Sequence, residues 1–345
     1  MIRFRTYKEK ALLHNPLNNF ELEEQHIEYR VDPLTGFTST FHYRSADPPV
    51  IFKTDEVVLE NLTRNTQENC RFCHAKIHTT APKFPSQLIP EGRLTRGEAT
   101  MFPNLFAQKS HSAVIVLTRK HIPRLDELTP NIFYDALKLA DRYFRSAYQQ
   151  DSTKYAEIGQ NYLYTSGSSI PHPHIQALAS RYPYYLIKIY LEKAKEHYRK
   201  YQRNYWDELL RKEKRLNVRY LGTIGTTEWI VPFAPGRHHE VNFTVTDKSS
   251  FLEFDDADWR NLASGLSRVA QAYHDCGLSA FNFAMYSAPL GEKLPYFWAG
   301  GKIVSRSSIQ SYPTSDIWYG PNILQYGFIT RAPEDLAAII HRYFM

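Results

Sequence analysis

The chain carries an internal repeat, which restricts the folds open to it more than any other feature. Residues 100–119 (TMFPNLFAQKSHSAVIVLTR) resemble residues 227–246 (TEWIVPFAPGRHHEVNFTVT), an offset of about 127 residues. Each segment is followed by a helix-like stretch with an acidic start and then by a strand-like stretch that contains asparagine. Repetition at this period predicts two copies of a strand–helix–strand unit.

Hydrophobic periodicity predicts the strands and the helix of the first unit. The apolar run SAVIVLT predicts a buried strand, and Thr129 followed by Pro130 predicts the start of a long helix. Further strands are expected at 57–62 (VVLENL), at 157–165 and in PHPHIQALAS, after an irregular N-terminal region. We place the unit boundary between residues 1–182 and 183–345, and we expect the second unit to begin with one long amphipathic helix over 183–216.

Composition narrows the class of protein. The chain has 345 residues, which is long enough for two domains or for one large domain with a duplicated core. Hydrophobic residues make up 43% and charged residues 23%, which is typical of a globular protein. No apolar run is long enough for a membrane span and the N-terminus has no apolar signal core, so we expect no membrane partner and a cytoplasmic location. The net charge of +6 suits an anionic small molecule or nucleic acid.

The basic, aromatic segment 183–216 allows a nucleic-acid interpretation, which we regard as the weaker one. Between residues 188 and 215 lie ten basic and five acidic residues. The apolar positions recur at spacings of three and four, as on one face of a packed helix. We therefore expect this segment to pack against the protein and do not expect nucleic acid as a partner.

The segment His172-Pro173-His174-Ile175-Gln176 is the strongest sign of chemistry. In a strand, alternate side chains share a face, so His172, His174 and Gln176 are expected to line one side. An imidazole can attack phosphorus and an amide can donate to a phosphate oxygen. The preceding Gly167, Ser168 and Ser169 could supply backbone and hydroxyl donors to a phosphate. Only the first unit carries this motif, since the second reads FWAGGKI at the equivalent place.

Cys70 and Cys73 are spaced to hold one metal ion. Three cysteines in all argue against a disulfide framework. The best further ligands are His121, which follows the buried strand, and His172, which would give a closed Cys2His2 zinc site. A c-type haem site would require export, whereas a redox pair and two free thiols remain open alternatives.

At this point the residues resemble a known family, the galactose-1-phosphate uridylyltransferase-like branch of the histidine-triad superfamily. The likeness covers most of the chain. Arg30–Thr35 resemble the family's R-x-x-P-L-T opening, Cys70 and Cys73 its two zinc cysteines, and His121 the zinc histidine after its V-I-V strand. Asn161 resembles an asparagine before the catalytic loop, and Pro171–Gln176 resemble the active-site signature.

The resemblance implies a fold and a mechanism. The fold is α+β, with two tandem histidine-triad-like units, each an antiparallel half-barrel sheet with a long helix. His174 would attack the α-phosphorus of a nucleotide-sugar donor and form a covalent nucleotidyl-histidine, which a phosphorylated acceptor or phosphate then discharges. His172 would bind structural zinc, and a homodimer is implied. Substrate-binding residues implied alongside the catalytic Gln176 are Arg44, Phe102, Asn161, Gly167, Ser168 and Ser169.

Departures from the family pattern bear on specificity. The family's Asn-Asp before phenylalanine reads Thr100-Met101 before Phe102, and the histidines of a structural iron site read Tyr286, Gly300 and Lys302. Three hypotheses follow: a nucleotidyltransferase, a phosphorylase or hydrolase of nucleotide-sugars or dinucleoside polyphosphates on the same fold, and a non-catalytic nucleotide- or nucleic-acid-binding protein. The nucleobase and the acceptor are left open.

Overall fold

A computed structural model describes residues 2–42, 53–312 and 314–345. In chain order the strands are β1 (Arg5–Asn15), β2 (Glu21–Val31), β3 (Thr38–His42), β4 (Leu94–Arg96), β5 (Ala99–Pro103), β6 (His111–Val116), β7 (Tyr155–Tyr162), β8 (His174–Ser180), β9 (Tyr220–Ile224), β10 (Thr227–Ile230), β11 (Val241–Val245), β12 (Phe281–Tyr286), β13 (Gly300–Ser305) and β14 (Gly327–Ile329). The α-helices are α1 (Glu56–Gln67), α2 (His74–Thr80), α3 (Pro130–Asp151), α4 (Tyr185–Tyr201), α5 (Tyr205–Leu216), α6 (Asp256–Asp275) and α7 (Pro333–His341).

Within the described residues, ten strands form one antiparallel sheet in the order β4-β5-β6-β8-β7-β12-β13-β11-β10-β9. The first five strands belong to the first unit and the last five to the second. The two units meet where β7 pairs with β12, with Asn161 directly opposite Asn282. The α+β class and the duplicated layout are confirmed. The halves are not closed barrels, because their edge strands join into one continuous sheet.

The long helices α3 and α6 cover one face of this sheet. Both present apolar residues at spacings of three and four, and these pack on the inward-facing side chains of the strands. The buried residues of α3 include Phe133, Leu137, Ala140 and Phe144, and those of α6 include Trp259, Leu262, Leu266 and Val269. The sheet's opposite face is thereby left for polar residues, among them His174 and Gln176.

A smaller sheet, β1-β2-β3-β14, forms beside the second unit. Its two long strands make an antiparallel hairpin, where sequence reasoning expected only irregular structure. Arg30 of β2 and Arg219 both bond to Glu334 of α7, at 2.9 and 2.6 Å. These partly buried ion pairs fasten the hairpin to the second unit.

Residues 57–62 were expected as a strand and instead lie in α1. Asp55 caps this helix by accepting a hydrogen bond from the Val58 amide. Val58, Leu59 and Leu62 then share one helical face that packs on the main core. The two adjacent valines alone favour a strand, because β-branched side chains fit strands well. The Asp55 cap and the packing of this apolar face stabilise a helix instead.

The single helix expected over 183–216 is also wrong, because α4 and α5 are separate helices. Gln202 adopts the left-handed conformation with φ of 53° and ends α4, and Asn204 caps α5 through the Trp206 amide. The two helices pack their apolar faces into a second core cluster, as the amphipathic pattern predicted. Among the described residues, no helix is long and apolar enough to cross a membrane.

Gly265 of α6 offers a test of the contact between helix and sheet. A Cβ atom here would lie 2.0 Å from the Trp229 ring, which is fully buried. Gly265→Ala is therefore expected to lower the free energy of unfolding by about 1–3 kcal/mol, although alanine normally favours a helix. Urea unfolding measures the change, with Ser267→Ala in the same helix as a control expected within about 0.5 kcal/mol of wild type. A more stable Gly265→Ala protein would contradict this packing.

Candidate active site and metal centre

His174 is the first residue of β8, which lies between β6 and β7 inside the large sheet. His174 and Gln176 point to the face that the long helices leave free and line a cavity there. His172 precedes the strand and is fully buried, so the expectation that all three share one face is wrong for His172. Its side chain turns instead into the group of metal ligands described below.

The His174 ring is held in one tautomer. Its Nδ1 lies 2.9 Å from the carbonyl oxygen of His172. Because a carbonyl oxygen only accepts, Nδ1 carries the hydrogen and Nε2 keeps its lone pair. Phe72 meets the ring edge-on at 5.2 Å between centroids. Burial lowers the pKa of His174, which favours the neutral imidazole.

The cavity in front of His174 has a volume of about 490 Å³, within the range of small-molecule sites. It extends across the seam between the units, since strands of both line it. The wall is mostly polar and includes Gln108, Glu157, Asn161, Ser166, Gly167, Ser168, Ser169, His174, Gln176 and Asn282.

The loop after β7 forms one end of the cavity. Gly167 has φ of 96°, a conformation that glycine adopts without strain. Its amide donates to Tyr164, the Ser168 amide donates to Leu163, and the Ser168 hydroxyl donates to Ile170 at 2.6 Å. These predicted phosphate donors are thus engaged within the turn. Ser169 is exposed in the cavity wall and remains the better placed of the three to meet a ligand.

Cys70, Cys73, His121 and His172 come together as the spacing predicted. Their ligand atoms all lie within 4.8 Å of one another, so the group could hold a metal ion. The two cysteines lie between α1 and α2, and Ile77 of α2 and Ala81 just after it pack against the sheet. The Phe72 amide donates to Cys70 Sγ at 3.4 Å, which orients that sulfur toward the centre.

Both histidine rings are oriented by neighbours outside the group. His172 Nε2 donates to the carbonyl of Thr118 at 2.8 Å, which leaves Nδ1 as an acceptor. His121 Nε2 lies 2.9 Å from the Thr66 hydroxyl, which itself donates to Leu62, so His121 Nδ1 is an acceptor too. The two Nδ1 atoms are 3.3 Å apart. Two lone pairs facing each other at this distance favour a cation between them.

The distances fit a tetrahedral zinc ion. Zinc bonds of about 2.0–2.1 Å to nitrogen and 2.3 Å to sulfur put two nitrogens about 3.3 Å apart and nitrogen and sulfur about 3.6 Å apart. The sulfur of Cys73 lies 3.4 Å from His121 Nδ1 and 3.6 Å from His172 Nδ1. Burial and the neighbouring Cys70 raise the pKa of Cys73 to about 11, so a cation is needed to hold both thiolates.

The remaining substrate-binding residues predicted from the sequence do not all lie in the cavity wall. Asn161 is exposed to the cavity from β7. Phe102 is 3% exposed and packs edge-on against Phe72 at 5.4 Å, behind the cavity wall rather than in it. Arg44 lies outside the described residues. Their substrate-binding roles stay predictions.

Sequence reasoning missed several residues of the cavity. Gln108 and Glu157 line the cavity and no motif marks them. Lys109, outside the lining, lies 3.9 Å from the Glu157 carboxylate. Asn282 enters from the second unit. Its signal was present in the repeat, because each copy has an asparagine in the strand after its long helix.

The same sheet face continues into the second unit, where the resemblance places an iron site in some relatives. Here Lys302 donates to Glu240 at 2.9 Å, beside Tyr190 and Tyr286. Burial and the Glu240 carboxylate act oppositely on the pKa of Lys302, and the net shift is upward. A charged ammonium group therefore stands at this position.

Comparisons with solved structures agree with this architecture. An ADP-glucose phosphorylase from Arabidopsis thaliana, solved with ADP-glucose bound, superposes with a TM-score of 0.69 at 18% identity, over 91% of this chain and 98% of that one. A uridylyltransferase superposes with a TM-score of 0.64 at 19% identity, over 92% and 98%. The protein therefore has the fold of the galactose-1-phosphate uridylyltransferase-like branch of the histidine-triad superfamily, as the motifs indicated.

A sequence relative places the chain in a family. An uncharacterized protein of Archaeoglobus fulgidus is 31% identical over 326 residues, which cover 92% of each chain. The chain belongs to the same family as this archaeal protein. No protein-family model matches the sequence.

Proposed function

We propose that the protein is a nucleotidyltransferase whose nucleophile is His174. The observation that carries the proposal is the orientation of this ring, in which Nδ1–H donates to His172 and leaves Nε2 as the free nucleophilic atom beside a polar cavity. The donors we expect are nucleoside-diphosphate-sugars or related compounds. The fold of enzymes that act on such substrates supports this choice.

The reaction is a double displacement. Nε2 attacks the α-phosphorus, the new P–N bond forms, and the bond to the bridging oxygen breaks to release the sugar phosphate. An oxygen of a sugar phosphate or of inorganic phosphate then attacks the same phosphorus and breaks the P–N bond. The nucleotidylated ring is cationic, and the His172 carbonyl, which accepts its Nδ1–H, stabilises that charge.

Gln176 is the second catalytic residue in this proposal. It follows His174 by two residues on the same strand face and lines the same cavity. Its side-chain amide can donate to an oxygen of the phosphoryl group as negative charge develops there. Ser169 lies in the wall nearby and can donate to a second phosphate oxygen.

We further propose that the Cys2His2 group holds structural zinc. All four positions are filled by protein ligands, so a bound ion would have no open position for substrate. The metal would fix the residues just before β8. His172 binds it through Nδ1 and accepts from His174 through its backbone carbonyl, so the metal and the nucleophile are linked by one residue.

A panel of donors tests the proposal. The protein, supplied with zinc, is incubated with UDP-, ADP- and GDP-sugars labelled at the α-phosphate. We expect one base to give label that stays on the denatured protein, is released by acid and survives alkali. Absence of label with every donor would contradict the proposal and favour a binding protein without turnover.

The acceptor decides between transfer, phosphorolysis and hydrolysis. We expect sugar phosphates or inorganic phosphate to discharge the labelled protein at least about tenfold faster than buffer alone, because a phosphorylated acceptor can occupy the leaving-group end of the cavity. The measurement is the rate of label loss with each acceptor. An equal rate in buffer would identify a hydrolase instead.

A further inference from the structure

A chain of polar contacts crosses the seam from the second unit into the catalytic cavity. Arg306 follows β13 and is 8% exposed, and its Nη1 donates to Asn282 Oδ1 at 2.6 Å. Asn282 Nδ2 in turn donates to Asn161 Oδ1 at 2.6 Å. These three side chains, which belong to both units, form one chain of hydrogen bonds with a single donor-to-acceptor direction. We call this chain, which runs from Arg306 through Asn282 to Asn161 in the cavity wall, the relay.

The guanidinium group determines the direction of the whole relay. Arginine has no acceptor, so the Asn282 atom that it contacts must be the carbonyl oxygen. The other end of Asn282 is then an NH2 group, which must face the carbonyl oxygen of Asn161. Asn161 consequently keeps its own NH2 group free, and this group lines the cavity as a donor.

The position of Asn161 puts that donor beside the reacting centre. Gln160 pairs with Ile175 across β7 and β8, so the next pair places Asn161 opposite His174. Side chains opposite each other on neighbouring strands lie about 5 Å apart at Cβ. A phosphoryl group attacked by His174 therefore lies within reach of the Asn161 amide.

The same relay holds the loop that ends the cavity. The carbonyl of Ser166 accepts from Asn282 Nδ2 at 2.9 Å and from Arg306 Nη1 at 3.2 Å. Ser166 is buried and directly precedes Gly167 in the cavity wall. Its position is thus set by residues of the second unit.

Arg306 is itself fixed by a buried carboxylate. Asp316, 6% exposed, accepts from Arg306 Nε with both oxygens at 3.0 and 2.9 Å, and also from the Ser307 amide at 3.1 Å. A buried pair of this kind costs desolvation and is weak evidence for a role in stability alone. Holding a guanidinium in one orientation is the role that this geometry serves.

We propose that Asn282 and Arg306 are positioning residues that present the Asn161 amide as a hydrogen-bond donor to a phosphoryl oxygen at His174. The second unit, which lacks the catalytic histidines, thereby determines that the NH2 group of Asn161, and not its carbonyl oxygen, faces the active site of the first unit. The effect on turnover rests on the proposed nucleotidyl transfer. The relay itself can also be tested by nucleotide binding.

Asn282→Asp is the sharpest variant, because it keeps the shape and removes the donor. A carboxylate only accepts, so Asn161 must rotate its NH2 group toward it and present its carbonyl oxygen to the phosphate. We expect covalent labelling and kcat to fall by about 10- to 100-fold, because the donor matters most as charge develops on the phosphoryl oxygen. KM and the Kd of the nucleoside monophosphate are both expected to rise by only about two- to threefold. Arg306→Lys keeps a donor-only side chain and is expected to retain more activity than Arg306→Gln, which can also accept.

Two controls separate this effect from a general loss of structure. Arg268 also donates to a backbone carbonyl, that of Tyr343 at 3.1 Å, but it belongs to α6, which covers the sheet face opposite the cavity, and Arg268→Met is expected to leave kcat unchanged. Melting temperatures are compared for all variants. Wild-type label with no loss in Asn282→Asp would overturn the relay alone, whereas an unlabelled wild type would overturn the proposed function alone, leaving monophosphate binding to judge the relay.

Discussion

Replacing His174 with alanine is expected to abolish covalent labelling and to lower turnover by at least about 10⁴-fold. The reason is that no other described group in the cavity wall combines a free ring nitrogen with a position next to Gln176. The loss of the imidazole removes the atom that bonds to phosphorus, so binding of nucleotide should survive while chemistry stops. Steady-state assays and calorimetric titration with the nucleoside monophosphate measure the two effects.

His26→Ala serves as the matched control, because His26 is exposed on the β1–β2 hairpin. It is expected to behave as wild type in both measurements. Turnover retained within tenfold in His174→Ala would show that a different residue, or water, attacks the phosphorus.

Removal of the metal is expected to have the second large effect, on stability rather than on chemistry alone. Cys73→Ser, or a strong chelator, should lower the melting temperature by at least about 5 °C, since a closed four-ligand site contributes its binding free energy to folding. The ligands join the α1–α2 connection to Thr118 and to the segment before β8, so these regions should lose protection from hydrogen exchange first. Differential scanning calorimetry and elemental analysis measure the effect.

Cys276→Ser is the matched control for that experiment. Cys276 is an exposed free cysteine at the end of α6, outside the ligand group. Its loss should change neither zinc content nor melting temperature. A folded, active preparation that contains no stoichiometric zinc would contradict the assignment of the four ligands to this metal.

The sequence predicted the parts of the site that depend on spacing. The close cysteines, the histidine after the V-I-V strand and the His-x-His-x-Gln segment each point to their chemistry locally, and the structure brings them together. What spacing could not give is the tautomer and orientation of each ring, which depend on Thr118, Thr66 and the His172 carbonyl. Those partners are backbone or hydroxyl groups with no sequence signature.

The repeat predicted two units but not the way in which they join. The units join because β7, at the edge of one half of the sheet, pairs with β12 at the edge of the other. The sequence does not indicate which edge strands pair, because every edge strand offers similar unpaired backbone groups. The repeat marks Asn282 as the counterpart of Asn161, but the contacts of Asn282 and Arg306 with the first unit arise only through that pairing. Local patterns also failed at 57–62 and at Gln202, where a helix cap and a left-handed residue override the apolar pattern.

Mapping the covalent adduct tests the central claim most directly. The protein is incubated with the donor that labels it, quenched at alkaline pH and digested, and the peptide that contains residues 171–176 is sequenced by mass spectrometry. We predict one added nucleoside monophosphoryl group on His174 and none on His172, and no adduct in the His174→Ala protein. An adduct on another residue, or turnover without any adduct, would contradict the account.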